Sequence, residues 1–184
     1  MSVKAYKPTT PARRGMTSQD LTKITTKKPV KSLLVAKRRT NGRNNQGRIT
    51  TRHRGGGAKR FYRLVNFKQL DFEKATMEHI EYDPNRSARI ARLIDETNKY
   101  HYVIASGNMK IGQVITIGEK AAIEEGNRLA LKDIPPGSFI YALELQPGRG
   151  AQMVRSAGTK AQLTAKEGDY AQVKLPSGEV RMIN

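Results

Sequence analysis

The chain has 184 residues, enough for one domain or two small ones, with 34 Lys and Arg against 16 Asp and Glu. Residues 1–63 hold 18 of the basic residues and a single acid, Asp20, whereas residues 64–184 hold 16 basic and 15 acidic residues. A basic arm joined to a nearly neutral body is typical of a nucleic-acid-binding protein. The absence of cysteine excludes disulfides and thiolate metal sites, and it fits a reducing compartment.

The arm lacks the features of a membrane-binding segment. An interfacial helix needs large apolar residues on one face, but the apolar residues of the arm stand among prolines, threonines and lysines without a helical period. The sequence also has no Trp, no apolar run of about 18 residues and no signal-peptide pattern. We therefore expect a soluble protein without a membrane partner.

Residues 1–60 are predicted to form an extended, irregular basic arm. Pro8, Pro11 and Pro29 interrupt any helix. Residues 41–48 are a run of turn-forming residues that includes Arg43. Such a segment cannot bury enough apolar surface to offset its ordering entropy, so we expect it to become ordered only on a partner.

The stretch Arg52–Arg63 marks the end of the arm. Its three consecutive glycines have no Cβ, so the backbone can adopt positive φ and lie directly against another surface. The flanking cations indicate that this surface is anionic, although a flexible linker with solvated charges is the alternative. We favour contact with nucleic acid. The candidate contacts are Arg52, Arg54, Gly55, Gly56, Gly57, Lys59, Arg60 and Arg63.

Residues 61–119 are predicted to form a small barrel. Five segments there are short, rich in β-branched and aromatic residues, and separated by turn-forming residues. The predicted strands are Phe61–Phe67, Thr76–Asp83, Ala88–Asp95, Lys99–Ala105 and Gln113–Ile117. Five short strands without a long helical segment favour a five-stranded barrel of the oligonucleotide-binding type.

Residues 120–184 are predicted to form a second, SH3-like barrel after a short connection. Its predicted strands are Asn127–Leu131, Ser138–Leu145, Thr159–Ala165, Tyr170–Leu175 and Glu179–Ile183. The predicted fold class is therefore all-β, with two small barrels after a basic arm. Domains of this size bury only about 60% of their unfolded surface, so we expect each barrel to pack against the other or against a partner.

The sequence does not indicate an enzyme. His53, His79 and His101 lie far apart, and none has a second ligand type at metal-binding spacing. Ser138 lacks the flanking glycines of a nucleophile elbow, and the glycines of residues 148–160 lack the spacing of a phosphate-binding loop. We expect no catalytic residue, metal site, cofactor or small-molecule substrate.

Two further cationic groups are candidate sites. Arg86 lies in the turn at residues 83–87, which is expected to leave its side chain projecting from the barrel rim, although most hairpin arginines have no function. Residues 147–158 carry Arg149 and Arg155 among small residues, which allow a backbone to approach phosphate closely. The alternative is a plain connection, but about a dozen residues is long for so small a barrel.

Five motifs resemble one known family. Residues 42–45, 52–63, 81–87, 145–158 and 177–183 are similar, in order along essentially the whole chain, to the bacterial form of the L-two family of large-subunit ribosomal proteins. The resemblance implies an N-terminal extension, an oligonucleotide-binding-type barrel and an SH3-like barrel. It implies direct binding to large-subunit ribosomal RNA (rRNA), with neighbouring ribosomal proteins and small-subunit elements as partners. It also implies roles in subunit joining and around the peptidyl-transferase centre.

The resemblance points to Arg86 and Arg155 as the RNA contacts of the two barrels. It supports RNA contacts along the arm at Arg43, Arg52, Arg54, Lys59 and Arg60. Ala58 departs from the family, which usually has histidine there, so any hydrogen bond from that imidazole is absent. Family members continue past the position of Asn184 with a basic, glycine-rich extension, and no property tied to that extension is carried over.

The sequence therefore predicts a structural, rRNA-binding constituent of the large subunit of a cytoplasmic ribosome, with an organellar ribosome left open. The alternative is a free-standing RNA-binding translation or transcription factor. A long basic arm argues against this alternative because such arms usually require permanent cover. An enzyme would need a converging acid, base or metal cluster, which the sequence does not indicate.

Overall fold

The computed structural model describes residues 3–37, 39–69, 71–118 and 121–184. Within these ranges, helical structure consists of short 3-10 turns at Pro11–Arg13, Lys31–Leu33 and Leu131–Asp133. The regular structure is otherwise a set of small antiparallel β-sheets, which confirms the all-β prediction. Among the described residues, none belongs to a helix with the length and hydrophobicity needed to cross a membrane.

Short strands interrupt the arm. Strands β1 (Val3–Ala5) and β2 (Thr17–Gln19) form a hairpin at its start. Strand β3 (Leu34–Ala36) pairs with β4 (Phe61–Arg63), which begins the first predicted barrel. The arm is therefore not irregular throughout, although most of its described residues are exposed. Its expected ordering on a partner stays a prediction.

The first barrel contains a four-stranded antiparallel sheet in the order β7-β6-β5-β8. Its strands are β5 (Lys74–Glu81), β6 (Ile90–Asp95), β7 (Tyr100–Ile104) and β8 (Val114–Thr116). Ala75 and Met77 alternate with exposed neighbours and pack on Leu93 and Ile115 in the core. The strand predicted at 61–67 is shorter in the structure, where β4 ends at residue 63. Beyond β4, Val65 forms a single parallel bridge to β7.

The second barrel contains a sheet in the order β12-β11-β10-β9 around buried Leu163 and Val173. Its strands are β9 (Phe139–Ile140), β10 (Ala161–Glu167), β11 (Tyr170–Lys174) and β12 (Val180–Ile183). Two predictions were wrong here. Residues 127–131 form no regular strand, and Arg128 makes only one parallel bridge. The predicted strand at 138–145 stops early because Ala142 has φ of 51°, outside the β region.

Part of the arm covers the edge of β5 that β8 leaves open. The amide of Thr25 donates to the Ile80 carbonyl at 3.0 Å, and the Ile80 amide donates to the Thr25 hydroxyl at 3.0 Å. Farther along, the Val30 amide donates to the Tyr102 hydroxyl at 2.8 Å. An edge covered in this way is not open to pairing with another chain. The division of the chain at residues 60 and 119 stays a prediction, and these contacts connect the arm to the first sheet.

Candidate nucleic-acid interface

A compact loop at residues 41–51 lies within the arm. Gly42 has φ of 73°, and an added Cβ would lie 2.2 Å from the Thr51 carbonyl oxygen, so only glycine fits. The Asn44 side chain accepts hydrogen bonds from two backbone amides of the loop, each at 3.0 Å. Arg43 folds back and donates to the Gly47 carbonyl at 2.8 Å. The loop is therefore held by its own hydrogen bonds.

The three glycines at residues 55–57 are exposed, with φ of 146°, 69° and 78°. This confirms that the backbone adopts positive φ here. The Gly56 carbonyl accepts a hydrogen bond from Arg39 at 2.5 Å. A Cβ at Gly57 would lie 3.1 Å from the same guanidinium group. Arg39 was not among the contacts predicted from the sequence.

The cations after the glycines have different surroundings. Arg60 donates to the Pro84 carbonyl at 2.9 Å, which ties the end of the arm to the turn that carries Arg86. Arg63 donates to the carbonyl of Phe61 within β4 at 3.0 Å. Four cations of this stretch are exposed: Arg52, Arg54, Lys59 and Arg60.

Arg86 is held within its turn, so the expectation of a projecting side chain was wrong. Its Nε donates to Oδ2 of Asp83 at 2.6 Å; the Asp83 side chain is fully buried and that of Arg86 is 16% exposed. A buried carboxylate without a partner is costly, so the turn folds the arginine back onto it. The guanidinium carbon lies 5.7 Å from the ring centre of Tyr62 and 5.6 Å from that of Phe67.

Arg155 approaches the same phenyl ring from the second barrel. Its guanidinium carbon lies 4.9 Å from the ring centre of Phe67, and the residue is exposed. The preceding residue, Val154, has φ of 55°, which a β-branched residue rarely adopts. Val154 packs against the second core, and its carbonyl accepts from the Ala142 amide at 3.0 Å. These contacts fix the direction in which Arg155 leaves the core.

The backbone of Phe67 joins the two barrels. Its carbonyl accepts from the Ala151 amide at 2.9 Å and from the Arg128 guanidinium at 3.0 Å. Arg128 also pairs with Glu144 at 3.0 Å, and Glu144 accepts a hydrogen bond from the Gly150 amide. The start of the 147–158 loop is thus fastened to the first barrel.

The structure brings Arg86 and Arg155 to one ring, and Arg60 to the turn of Arg86. It does not bring the other candidates to that ring: Arg43, Arg52, Arg54, Gly55, Gly56, Gly57 and Lys59 lie along the arm, Arg63 bonds within β4, and Arg149 is exposed in its loop. Three residues of this junction were not predicted from the sequence: Phe67, Arg128 and Glu144. Phe67 precedes Arg86 by 19 residues and Arg155 by 88, so no local spacing could have linked them.

A buried acid connects the arm to the first sheet. Glu81 is 3% exposed, accepts from the Tyr102 hydroxyl at 2.7 Å and lies 3.2 Å from Nη1 of Arg92. Burial raises the pKa of Glu81, and the Tyr102 hydrogen bond and Arg92 oppose that rise. Burial also raises the pKa of Tyr102, which keeps its hydroxyl protonated as a donor. The same hydroxyl accepts from the Val30 amide.

Two of the histidines have structural contacts. Nε2 of His101 lies 3.0 Å from Asp95, and Nδ1 of His79 lies 3.1 Å from the Thr25 hydroxyl. The hydrogen bond from His101 is the main cause that lowers the pKa of Asp95 well below its usual range. In the part of the chain that the structure describes, no group of three His, Asp or Glu could hold a metal ion.

The fold combines two small barrels and a basic arm, with arginines of both barrels at their junction. These features are typical of a nucleic-acid-binding protein. Residues 30–117 match the family described as ribosomal proteins L2, RNA-binding N-terminal domain, and residues 124–184 match the C-terminal domain of the same family. The chain is 51% identical over 186 aligned positions to the large ribosomal subunit protein uL2 of Tropheryma whipplei, in strains Twist and TW08/27 alike. The alignments cover all of this chain and 67% of each relative. The chain therefore belongs to the ribosomal protein L2 family.

Proposed function

We propose that the chain is a structural constituent of the large ribosomal subunit that binds rRNA directly. The observation that carries the proposal is the match of residues 30–117 to the RNA-binding domain of the family. The excess of positive charge lies in residues 1–63, of which residues 30–63 belong to that domain and the others precede it. Two relatives at 51% identity are named as large-subunit proteins.

Binding proceeds mainly through phosphates. Lys and Arg of the arm neutralise phosphate charges and release counterions, so affinity falls steeply with salt. An extended arm can enter the grooves and bulges of folded rRNA where a globular domain cannot. Arg86 is orientated before binding by Asp83, and Arg155 is exposed beside it. The proposed RNA contacts are Arg43, Arg52, Arg54, Gly55, Gly56, Gly57, Lys59, Arg60, Arg63, Arg86, Arg149 and Arg155.

The role is structural and not enzymatic, in a cytoplasmic ribosome. The proposed contributions are to subunit assembly, to subunit association and to the region around the peptidyl-transferase centre. The proposed partners besides rRNA are neighbouring ribosomal proteins and small-subunit elements at the subunit interface. The family's RNA-binding and C-terminal matches, at residues 30–117 and 124–184, support a division into two barrels near residue 120.

The first test is filter binding of the chain to a large-subunit rRNA transcript between about 50 and 200 mM salt. We expect tight binding with a steep salt dependence. Replacing both Arg52 and Arg54 by Ala should reduce the slope of log K against log salt by about two, one for each phosphate contact that is lost. Lys174→Ala, an exposed cation of the second barrel, is the control that should leave the slope unchanged. Weak binding without salt dependence would contradict the proposal.

Sedimentation distinguishes a ribosomal constituent from a free-standing factor. An integral component remains with the large subunit after a high-salt wash, because many buried contacts hold it there. A factor that cycles on and off the ribosome is removed. Recovery of the chain only in the washed supernatant would favour the alternative.

A further inference from the structure

The phenyl ring of Phe67 contacts a guanidinium group from each barrel. Arg86 of the first barrel lies 5.6 Å from the ring centre, and Arg155 of the second lies 4.9 Å from it. Both distances are within the range of cation–π attraction. Because Arg155 belongs to the other barrel, its contact with the ring exists only when the barrels are docked.

The docking of the barrels rests on backbone groups and on other side chains. The Phe67 carbonyl accepts from the Ala151 amide and from Arg128. The Ala157 amide donates to the Ser87 hydroxyl at 3.2 Å, which links the two loops that carry the arginines. Replacing the Phe67 side chain leaves all of these donors and acceptors in place. The ring and the junction can therefore be tested separately.

Stacking on a ring orients an arginine without using its hydrogen-bond donors. A guanidinium group that stacks on an aromatic ring still presents its planar N–H groups to a phosphate. In Arg86 the ion pair with Asp83 occupies Nε and leaves the terminal amino groups outside that bond. A side chain held in place before binding loses less conformational entropy when the ligand arrives.

We infer that Phe67 is a positioning residue that holds Arg86 and Arg155 as one composite site for the phosphates of a single RNA segment. This inference rests on the proposed function. It assigns a role to a residue that need not touch RNA. It also means that neither barrel alone presents the complete site.

The test compares Phe67→Leu with the unaltered chain in rRNA binding over a salt series. Loss of two cation–π contacts is expected to weaken binding about 5- to 30-fold. The slope of log K against log salt should change little, because both guanidinium groups remain and can still reach phosphate. Phe67→Tyr keeps the ring and should restore the affinity. The matched control is Phe139→Leu, since Lys160 lies 3.9 Å over that ring and belongs to no proposed RNA contact.

A double variant separates positioning from a general loss of structure. If Phe67 acts through Arg155, the double variant Phe67→Leu with Arg155→Ala should lose much less affinity than the product of the two single fold-losses. Circular dichroism and thermal unfolding check that each variant is folded. Phe67→Met, which keeps most of the apolar volume, replaces the leucine variant if that variant unfolds.

The outcomes are distinct. If the unaltered chain fails to bind rRNA, the proposed function fails. If the unaltered chain binds and the folded Phe67 variant binds equally well, the inference about Phe67 is overturned while the proposed function stands. Weaker binding with losses that multiply fully in the double variant overturns it as well.

Discussion

Arg86 pairs with the buried Asp83 and is also a proposed RNA contact. Asp83 is fully buried, and its other carboxylate oxygen accepts from the Asn85 amide at 2.8 Å. Arg86 is therefore the charge partner of a buried acid as well as a proposed RNA contact. An alanine substitution at residue 86 removes the ion pair together with the proposed contact, so loss of RNA binding alone would not show direct contact.

We expect Arg86→Ala to lower the free energy of unfolding by about 3 kcal/mol, because it leaves a buried charge without its partner. Adding Asp83→Asn should recover part of that stability by removing the charge. It should not recover rRNA affinity. Urea unfolding and filter binding measure the two quantities on the same variants. Equal stability of Arg86→Ala and the unaltered chain would contradict the structural role.

The side-chain arrangement at this site was only partly predictable. The turn at residues 83–87 follows from Asp, Pro, Asn and Ser in sequence, and the sequence predicted it. The direction of Arg86 depends on the burial of Asp83, which a pattern of alternating residues does not show. The approach of Arg155 to Phe67 depends on how two barrels dock, and no local pattern encodes that contact.

At the scale of the elements, the arm supplies a partner to the exposed edge of the first sheet. The Thr25 amide donates to the Ile80 carbonyl, and the Ile80 amide donates to the Thr25 hydroxyl. Val30 reaches the Tyr102–Glu81 pair. Strands with clear alternation, such as β5 and β10, were predicted within a few residues. The pairing of β3 with β4 was missed because β3 has only three residues and its partner lies more than twenty residues farther along.

The buried acid in this contact predicts a pH dependence of stability. The folded-state pKa of Glu81 is raised above its ordinary value of 4.5, so the folded chain holds its proton more tightly than the unfolded chain. Its stabilising contribution is fully present below about pH 4.5 and is lost as pH rises through the raised pKa. The free energy of unfolding of the unaltered chain should therefore fall relative to that of Glu81→Gln over this interval.

Urea unfolding of both proteins from about pH 4 to pH 8 measures this difference. Asp95, whose lowered pKa acts in the opposite direction, is present in both proteins and cancels in the comparison. A difference that does not change with pH would contradict the assignment of a raised pKa to Glu81. A difference that grows in favour of the unaltered chain would contradict it as well.

For the whole molecule, the junction at Phe67 couples two barrels that are each small. A domain of about 60 residues buries only about 60% of its unfolded surface and is marginal alone. Gly150 is buried at this junction with φ of 86°, and an added Cβ would lie 3.2 Å from the carbonyl carbon and oxygen of Phe67. Its position allows the coupling to be weakened without altering either core.

We expect Gly150→Ala to destabilise the chain more than Gly148→Ala does. Gly148 lies in the same loop with φ of 78° and has open space where a Cβ would lie, so its substitution adds only the backbone strain of about 1–2 kcal/mol. Gly150→Ala adds the same strain and also pushes the loop away from Phe67. That displacement weakens the bond from Ala151 to the Phe67 carbonyl, which contributes a further 1 kcal/mol or so.

The two variants also test whether the barrels unfold together. The unaltered chain and Gly148→Ala should each unfold in a single transition, because docking makes the stability of one barrel depend on the other. In Gly150→Ala, the backbone amides of one barrel should exchange faster than those of the other, since the coupling between the barrels is reduced. Hydrogen exchange read by mass spectrometry separates peptides of the two barrels. Equal destabilisation by both substitutions, with the barrels still exchanging together, would show that Gly150 does not couple them.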